Sequence, residues 1–255
     1  MDSFAIETHG LRKEFGDFTA VDGIDLQVPR GSFYGFLGPN GAGKSTTIKC
    51  LTGLLKPSAG RFRVLDMDPV RMPVAVKRQV GVVPEDLALF DRLTGAETLA
   101  FVGRVHGLDT RKVRARSEEL LSLMELRNAA NDLVADYSHG MRKKIALSAA
   151  LLPAPRLLFL DEPFEGIDAI ASRQIKDLLA AFVRNGGTVF LTTHVLEIVE
   201  RLCDQIAIIS RGRLVTQGSM AQLRAGGVSG QSLEERFMDI VGVARPAVPT
   251  LDWLG

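Results

Sequence analysis

The stretch GPNGAGKS, residues 38–45, constrains the fold of this chain more than any other feature of its sequence. It matches G-x-x-x-x-G-K-[ST] in full, follows the apolar run ending at Leu37 and opens the helix-like GKSTTIKCLTGLL (43–55), which Pro57 stops. Gly38, Gly41 and Gly43 let the backbone curl so that several N–H groups point at phosphate oxygens, with Pro39, Asn40 and Ala42 between them. The start of the helix adds its positive end. Lys44 can reach the β- and γ-phosphates, Ser45 offers a hydroxyl to Mg²⁺, and Thr46 is an extra donor to the α-phosphate. Residues 38–46 are therefore read as a nucleotide site.

A second stretch, LLFLDEPFEGID (157–168), runs from four apolar residues straight into two adjacent carboxylates. Ionised carboxylates at the mouth of a buried strand are costly unless something positive meets them. A Mg²⁺–triphosphate in the Gly-rich loop needs a carboxylate at the end of a neighbouring parallel strand, and Asp161 is placed for that. Glu162 points elsewhere and is free to orient or deprotonate a water attacking the γ-phosphate. Glu165 is read as surface.

The rest of the chain frames these two stretches. Short strands separated by Gly and Pro turns are expected over 4–37, a helical pattern over about 93–152, strands at 156–160 and 187–193, and a hairpin over 204–218 turning at Arg211–Gly212. Strands alternating with helices imply a largely parallel α/β core, with the central helices as an insertion. With 255 residues, a formal net charge of +1 and two scattered cysteines, Cys50 and Cys203, nothing suggests a global pull toward nucleic acid, a disulfide framework or a zinc site. The basic clusters 111–116 and 142–144 are read as solvated helix faces. The first ten residues carry no leader pattern, and no apolar run approaches bilayer length.

No Asn begins an N-K-x-D guanine reader, and YSHGMRKKIALSAALLPAPRLLFLDEPFEGID (137–168) resembles the signature-through-Walker-B region of ATP-binding cassette (ABC) transporter ATPases. The resemblance covers nearly the whole chain and is to the export-type branch. It implies a P-loop NTPase (RecA-like) core with an N-terminal antiparallel β subdomain and an inserted α-helical subdomain at about 88–153. The ATPase domain then spans 1–220, and a C-terminal amphipathic helix (232–242) and tail lie within 221–255. Tyr137–Met141 fill the family's L-S-G-G-Q places, and Ser138 and Gly140 keep the hydroxyl and bare N–H that cap the γ-phosphate held by the opposite subunit. His139 and Met141 depart from the commonest form.

By the same resemblance Phe15 stacks on adenine, although a half-buried core aromatic is the competing reading. Glu85 stands where the Q-loop Gln is usual, either ligating Mg²⁺ and sensing the permease or remaining an exposed turn residue. Asp168 matches the D-loop aspartate and His194 the switch histidine. The implied function is ATP hydrolysis, with ATP and Mg²⁺ as cofactors. A second ATPase subunit and a membrane permease on a separate chain are the implied partners, at the cytoplasmic face of the membrane, with no nucleic acid expected. The permease contact is expected around Glu85 to Phe101, where Leu87, Leu89, Phe90 and Leu93 form an apolar cluster on a connecting loop; the competing reading is that they cover the helical insertion's own core. Two rivals are a soluble ABC-type ATPase acting on ribosomes or DNA, and a regulatory cassette that binds ATP without hydrolysing it. Intact Lys44, Asp161, Glu162 and His194 argue against the second.

Overall fold

Strand residues alternate between two hydrophobic cores, and that alternation organises the molecule. In the computed structural model, which describes residues 4–225 and Phe237, the chain forms two sheets. The N-terminal antiparallel strands are β1 (Phe4–Phe15), β2 (Phe18–Ile24), β3 (Gln27–Pro29) and β5 (Ala59–Val64), with β1 pairing all three others. β4 (Phe33–Leu37) leads instead into the larger sheet, followed by α1 (Lys44–Leu51). After α2 (Pro73–Lys77), the larger sheet is completed by β6 (Val80–Val83), β7 (Leu157–Asp161), β8 (Thr188–Thr193), β9 (Gln205–Ser210) and β10 (Arg213–Ser219). Its order is β10-β9-β4-β8-β7-β6, parallel except for β10.

Both faces of the larger sheet are covered over its central strands, so β4, β7 and β8 are buried along their whole length, whereas the edge strand β10 alternates exposed and half-buried residues. Tyr34, Phe36, Phe159 and Phe190 face α1 and the antiparallel strands, with the other three rings packed around Phe190 at centroid distances of 5.3–5.7 Å. Leu37, Leu158, Leu160 and Leu191 face the opposite core. That second core is built with α3 (Gly95–Val105), α4 (Thr110–Leu123), α5 (His139–Leu151), α6 (Ala169–Arg184) and α7 (Leu196–Leu202). The short α8 (Met220–Ala225) follows β10.

Helices α3–α5 lie between β6 and β7 in the chain, where the helical pattern was read. Thr94 starts α3 with a capping box closed by Glu97, and the Asp109 side chain caps α4. Val113, Leu120, Leu121 and Met124, the apolar residues at helical spacing, are all buried. The 204–218 hairpin forms as β9 and β10, with positive φ at Arg211 and Gly212. Three differences from the sequence reading stand out. β1 is one long strand that pairs on both edges, with register shifts against each of its partners. β5, α2 and β6 fill an interval left without elements. The basic run 142–144 is not a solvated face: Lys143 and Lys144 are buried, and Arg142 pairs with Asp91. Residues 232–242 lie outside the described residues apart from Phe237, which packs on the second core.

Candidate functional site

Strand order brings the site together. β4, β8 and β7 are neighbours and parallel, so the residues following Leu37, Asp161 and Thr193 emerge along one edge of the sheet. Leu37 continues into the Gly-rich loop, Asp161 into Glu162, and Thr193 into His194.

The loop has little freedom to be anything else. Gly43, at φ 103°, lies against the Ala20 carbonyl, and a β-carbon there would approach it to 2.4 Å. A β-carbon at Gly38 would meet the Ile209 carbonyl at the same distance. No side chain caps the start of α1, which leaves its first N–H groups for an anion. The buried Lys44 ammonium donates to the carbonyls of Gly38 (2.8 Å) and Pro39 (3.3 Å) and lies 3.2 Å from Glu162 Oε1. These contacts hold the lysine inside the loop it serves. A cavity of about 460 Å³ opens here, lined by Asn40–Thr46 together with Phe18, Ala20, Glu85 and Glu162.

The two carboxylates are held differently. Asp161 Oδ1 accepts a short hydrogen bond from the Thr192 hydroxyl, its neighbour across the sheet. Glu162 has φ 46°, outside the comfortable range for a long side chain. Its N–H donates to Thr192 O (3.3 Å) and Oγ1 (3.2 Å), and its carbonyl accepts from Lys143 Nζ (2.7 Å). The Glu162 side chain is buried, with Oε1 3.1 Å from His194 Nδ1, yet no hydrogen-bond donor is aligned on that oxygen. Glu162 Oε1 thus lies within ion-pair distance of both the Lys44 ammonium and the His194 imidazole, at the wall of the phosphate cavity.

Glu85 is exposed beside the cavity, and its carboxyl is raised above the ordinary range by desolvation and by Asp161, Glu165 and Glu162 nearby. Burial lowers the Lys143 ammonium, with the same acids acting against that shift. The oxygen donors Ser45, Glu85 and Asp161 suit a hard cation such as Mg²⁺. Among the described residues no three acidic, His or Cys side chains form a preformed metal cage. Phosphate oxygens and water would therefore complete the coordination.

Phe15, Gly38, Pro39, Ser138, Gly140, Asp161, Asp168 and His194 are not among the residues lining the phosphate cavity, although Asp161 precedes its Glu162, His194 pairs with that carboxylate, and the Gly38 and Pro39 carbonyls accept from its Lys44. Phe15 is half exposed at the tip of the β1–β2 hairpin, its ring 4.9 Å from Lys13 Nζ, and its cross-strand neighbour Phe18 lines the cavity. Ser138 caps α5 by accepting from Met141 N at 3.3 Å. Asp168 caps α6, and the backbone N–H groups of Ala171 and Ile170 hold its carboxyl below the usual range, with Lys144 adding to the effect. These two turns adjoin: a β-carbon on Gly140 would sit 3.5 Å from Asp168 Oδ2, and one on Gly166 would sit 3.2 Å from the His139 ring. Glu165 is exposed. Sequence reasoning missed Thr192, Lys143 and Phe18. Strand pairing would have pointed to Thr192, but TVFLTT reads only as a buried strand.

Comparison with known proteins agrees with this geometry. Residues 21–165 match the model of the ABC transporter family. The daunorubicin resistance ATP-binding protein DrrA3 of Streptomyces coeruleorubidus is 41% identical over 225 residues, 88% of this chain and 71% of that protein. The Nod factor export ATP-binding protein I of Rhizobium sp. (strain N33) is 35% identical over 258 residues, 100% of this chain and 85% of that protein. A solved ATP-binding subunit of an ABC transporter superposes with a TM-score of 0.86 at 30% identity, covering 93% of this chain and 99% of that one. The chain belongs to the ABC transporter family, as an ATP-binding subunit that hydrolyses ATP.

Proposed function

We propose that this subunit works at the cytoplasmic face of a membrane, driving export through a permease on a separate chain. Two copies close on two ATP molecules, and each site joins one copy's Gly-rich loop to the other's Ser138–Gly140 turn. One observation carries the reading: the phosphate cavity gathers Lys44, Ser45, Glu85 and Glu162, with His194 against Glu162, whereas Ser138 turns back onto Met141 N and Gly140 lies beside Ala171 and Asp168. Those two residues sit at the start of α5, against the turn that holds Asp168. An exposed serine with a glycine just inside the same turn, away from the chain's own cavity, suits completion by a partner. The relatives are named as ATP-binding proteins, which supports a permease on another chain, and among the described residues no helix is long and apolar enough to cross a membrane. Export follows the names of the relatives, which are export and drug-resistance ATP-binding proteins.

In this reading Glu162 orients or deprotonates the attacking water, and His194, against the same carboxylate oxygen, contacts the γ-phosphate. Lys44 holds the β- and γ-phosphates, and Phe15 supports the base. Ser45, Glu85 and Asp161 would hold Mg²⁺, which when bound would neutralise charge on the phosphates.

Glu162→Gln should keep ATP affinity and slow turnover by about 10²–10⁴-fold, or roughly 3–5 kcal/mol of barrier. Lys44→Ala should instead weaken nucleotide binding, because it removes the cation from the cradle. Phosphate release and nucleotide titration on the purified variants check both, and near-normal turnover in Glu162→Gln would remove that residue from its role.

A further inference from the structure

Lys143 has no part in the nucleotide contacts proposed above, and it is an expensive residue to bury. It is 4% exposed, beside a small void of about 10 Å³ whose other walls are Val83, Leu147, Leu160, Pro163 and Ile175. An apolar side chain would fill that space without desolvating an ammonium. What a lysine adds is reach: its Nζ donates at 2.7 Å to the carbonyl of Glu162. That carbonyl belongs to a residue with φ 46°, a conformation that persists only where surrounding groups over-determine it. The other restraints on the Glu162 main chain are longer. Thr192 O and Oγ1 receive its N–H at 3.3 and 3.2 Å, and Glu165 N reaches its carbonyl at 3.3 Å.

We propose that Lys143 is a positioning residue for ATP hydrolysis, holding the Glu162 carbonyl and so fixing the main chain from which the Glu162 carboxylate projects. Lys143 also stands just over one turn into α5, the helix that Ser138 caps. The same bond therefore ties the turn assigned to a partner's nucleotide to the base of this chain's own site. The inference rests on the role proposed for Glu162.

Lys143→Met removes the donor and keeps an unbranched chain that suits the apolar surroundings. Lys143→Gln keeps a shorter N–H donor. Each is compared in the wild-type chain and in a Glu162→Gln background, by steady-state and single-turnover phosphate release, titration with a fluorescent ATP analogue and thermal melting. Lys143→Met should lower kcat by about 10–10²-fold, the scale expected when a reacting group is misplaced by about 1 Å. Analogue affinity should stay within about 3-fold, and Lys143→Gln should lie between Lys143→Met and wild type. With Glu162 already replaced, Lys143→Met should change the residual rate by less than about 3-fold, because the group it positions is gone. A merely structural lysine would lower both backgrounds by one factor, and that result overturns the proposal. So does a wild-type kcat in Lys143→Met. If Lys143→Met melts too low to assay, Lys143→Gln decides: a loss confined to the background with Glu162 supports the proposal, and an equal loss or none overturns it. Normal turnover in Glu162→Gln ends the base assignment and this inference together. Normal turnover in Lys143→Met beside an inactive Glu162→Gln ends the inference alone.

Discussion

Glu162 shows how much of a reacting residue is fixed by groups far away in sequence. Its identity and its place after an apolar strand were readable, because a carboxylate pair at a strand end beside a complete P-loop has few other uses. Its left-handed main chain and its anchors on Thr192 and Lys143 were not readable, since they arise from strand pairing and from a helix that returns across the sheet. The reading of 142–144 as a solvated face failed for that reason: the helix buries a cation to reach one carbonyl. Glu85 carries a different residue-level consequence. Its carboxyl is raised by desolvation and by neighbouring acids, so the native state binds its proton more tightly than the unfolded chain does. Stability linked to Glu85 is therefore greatest at low pH and is lost as pH rises through its raised folded value. Glu85→Gln should raise the melting temperature of the nucleotide-free protein at neutral pH, and the gain should vanish below the ordinary carboxylate range. A melting temperature unchanged or lowered at neutral pH, or a gain that persists in acid, would contradict that assignment.

The segment from β6 into α3 shows what an element adds to its residues. Leu87 and Leu89 pack against the second core, whereas Phe90 is 55% exposed and meets the half-exposed Phe101 edge to face. The apolar cluster read at 87–93 thus divides between core and surface, a division periodicity could not make in a non-repetitive loop. Phe90 and Phe101, with the exposed Leu54, wall a largely apolar groove of about 500 Å³ between this segment and the end of β6. A groove of this kind is where a helix from the proposed permease would dock. Leu54→Asp combined with Phe90→Asp should leave melting temperature and basal ATPase activity near wild type and release the protein from the membrane fraction. A collapse in thermal stability would make these residues core, and full retention at the membrane would place the contact elsewhere. Leu89 also lines the groove but is left unchanged in this test, because its partly buried side chain packs against the second core as well.

At the scale of the whole molecule, one parallel sheet with a core on each face explains both what the sequence revealed and what it hid. Apolar strands followed by Gly-rich or acidic turns announced the edge where β4, β7 and β8 end, and the helical periodicity of 110–124 located a buried face. The long antiparallel β1, with partners spread from residue 18 to residue 64, was not legible, because its register shifts leave no local pattern. The same architecture keeps Ser138 and Gly140 off the phosphate cavity, and the claim that a second copy completes the site stands on that separation. Its most direct test is the mass of the Glu162→Gln protein by size-exclusion chromatography with light scattering, with and without ATP and Mg²⁺. The account predicts a dimer only with nucleotide, weakened when Ser138→Ala is added while ATP binding by the monomer is kept. A nucleotide-dependent dimer indifferent to Ser138, or a protein that remains monomeric with ATP bound, would contradict it.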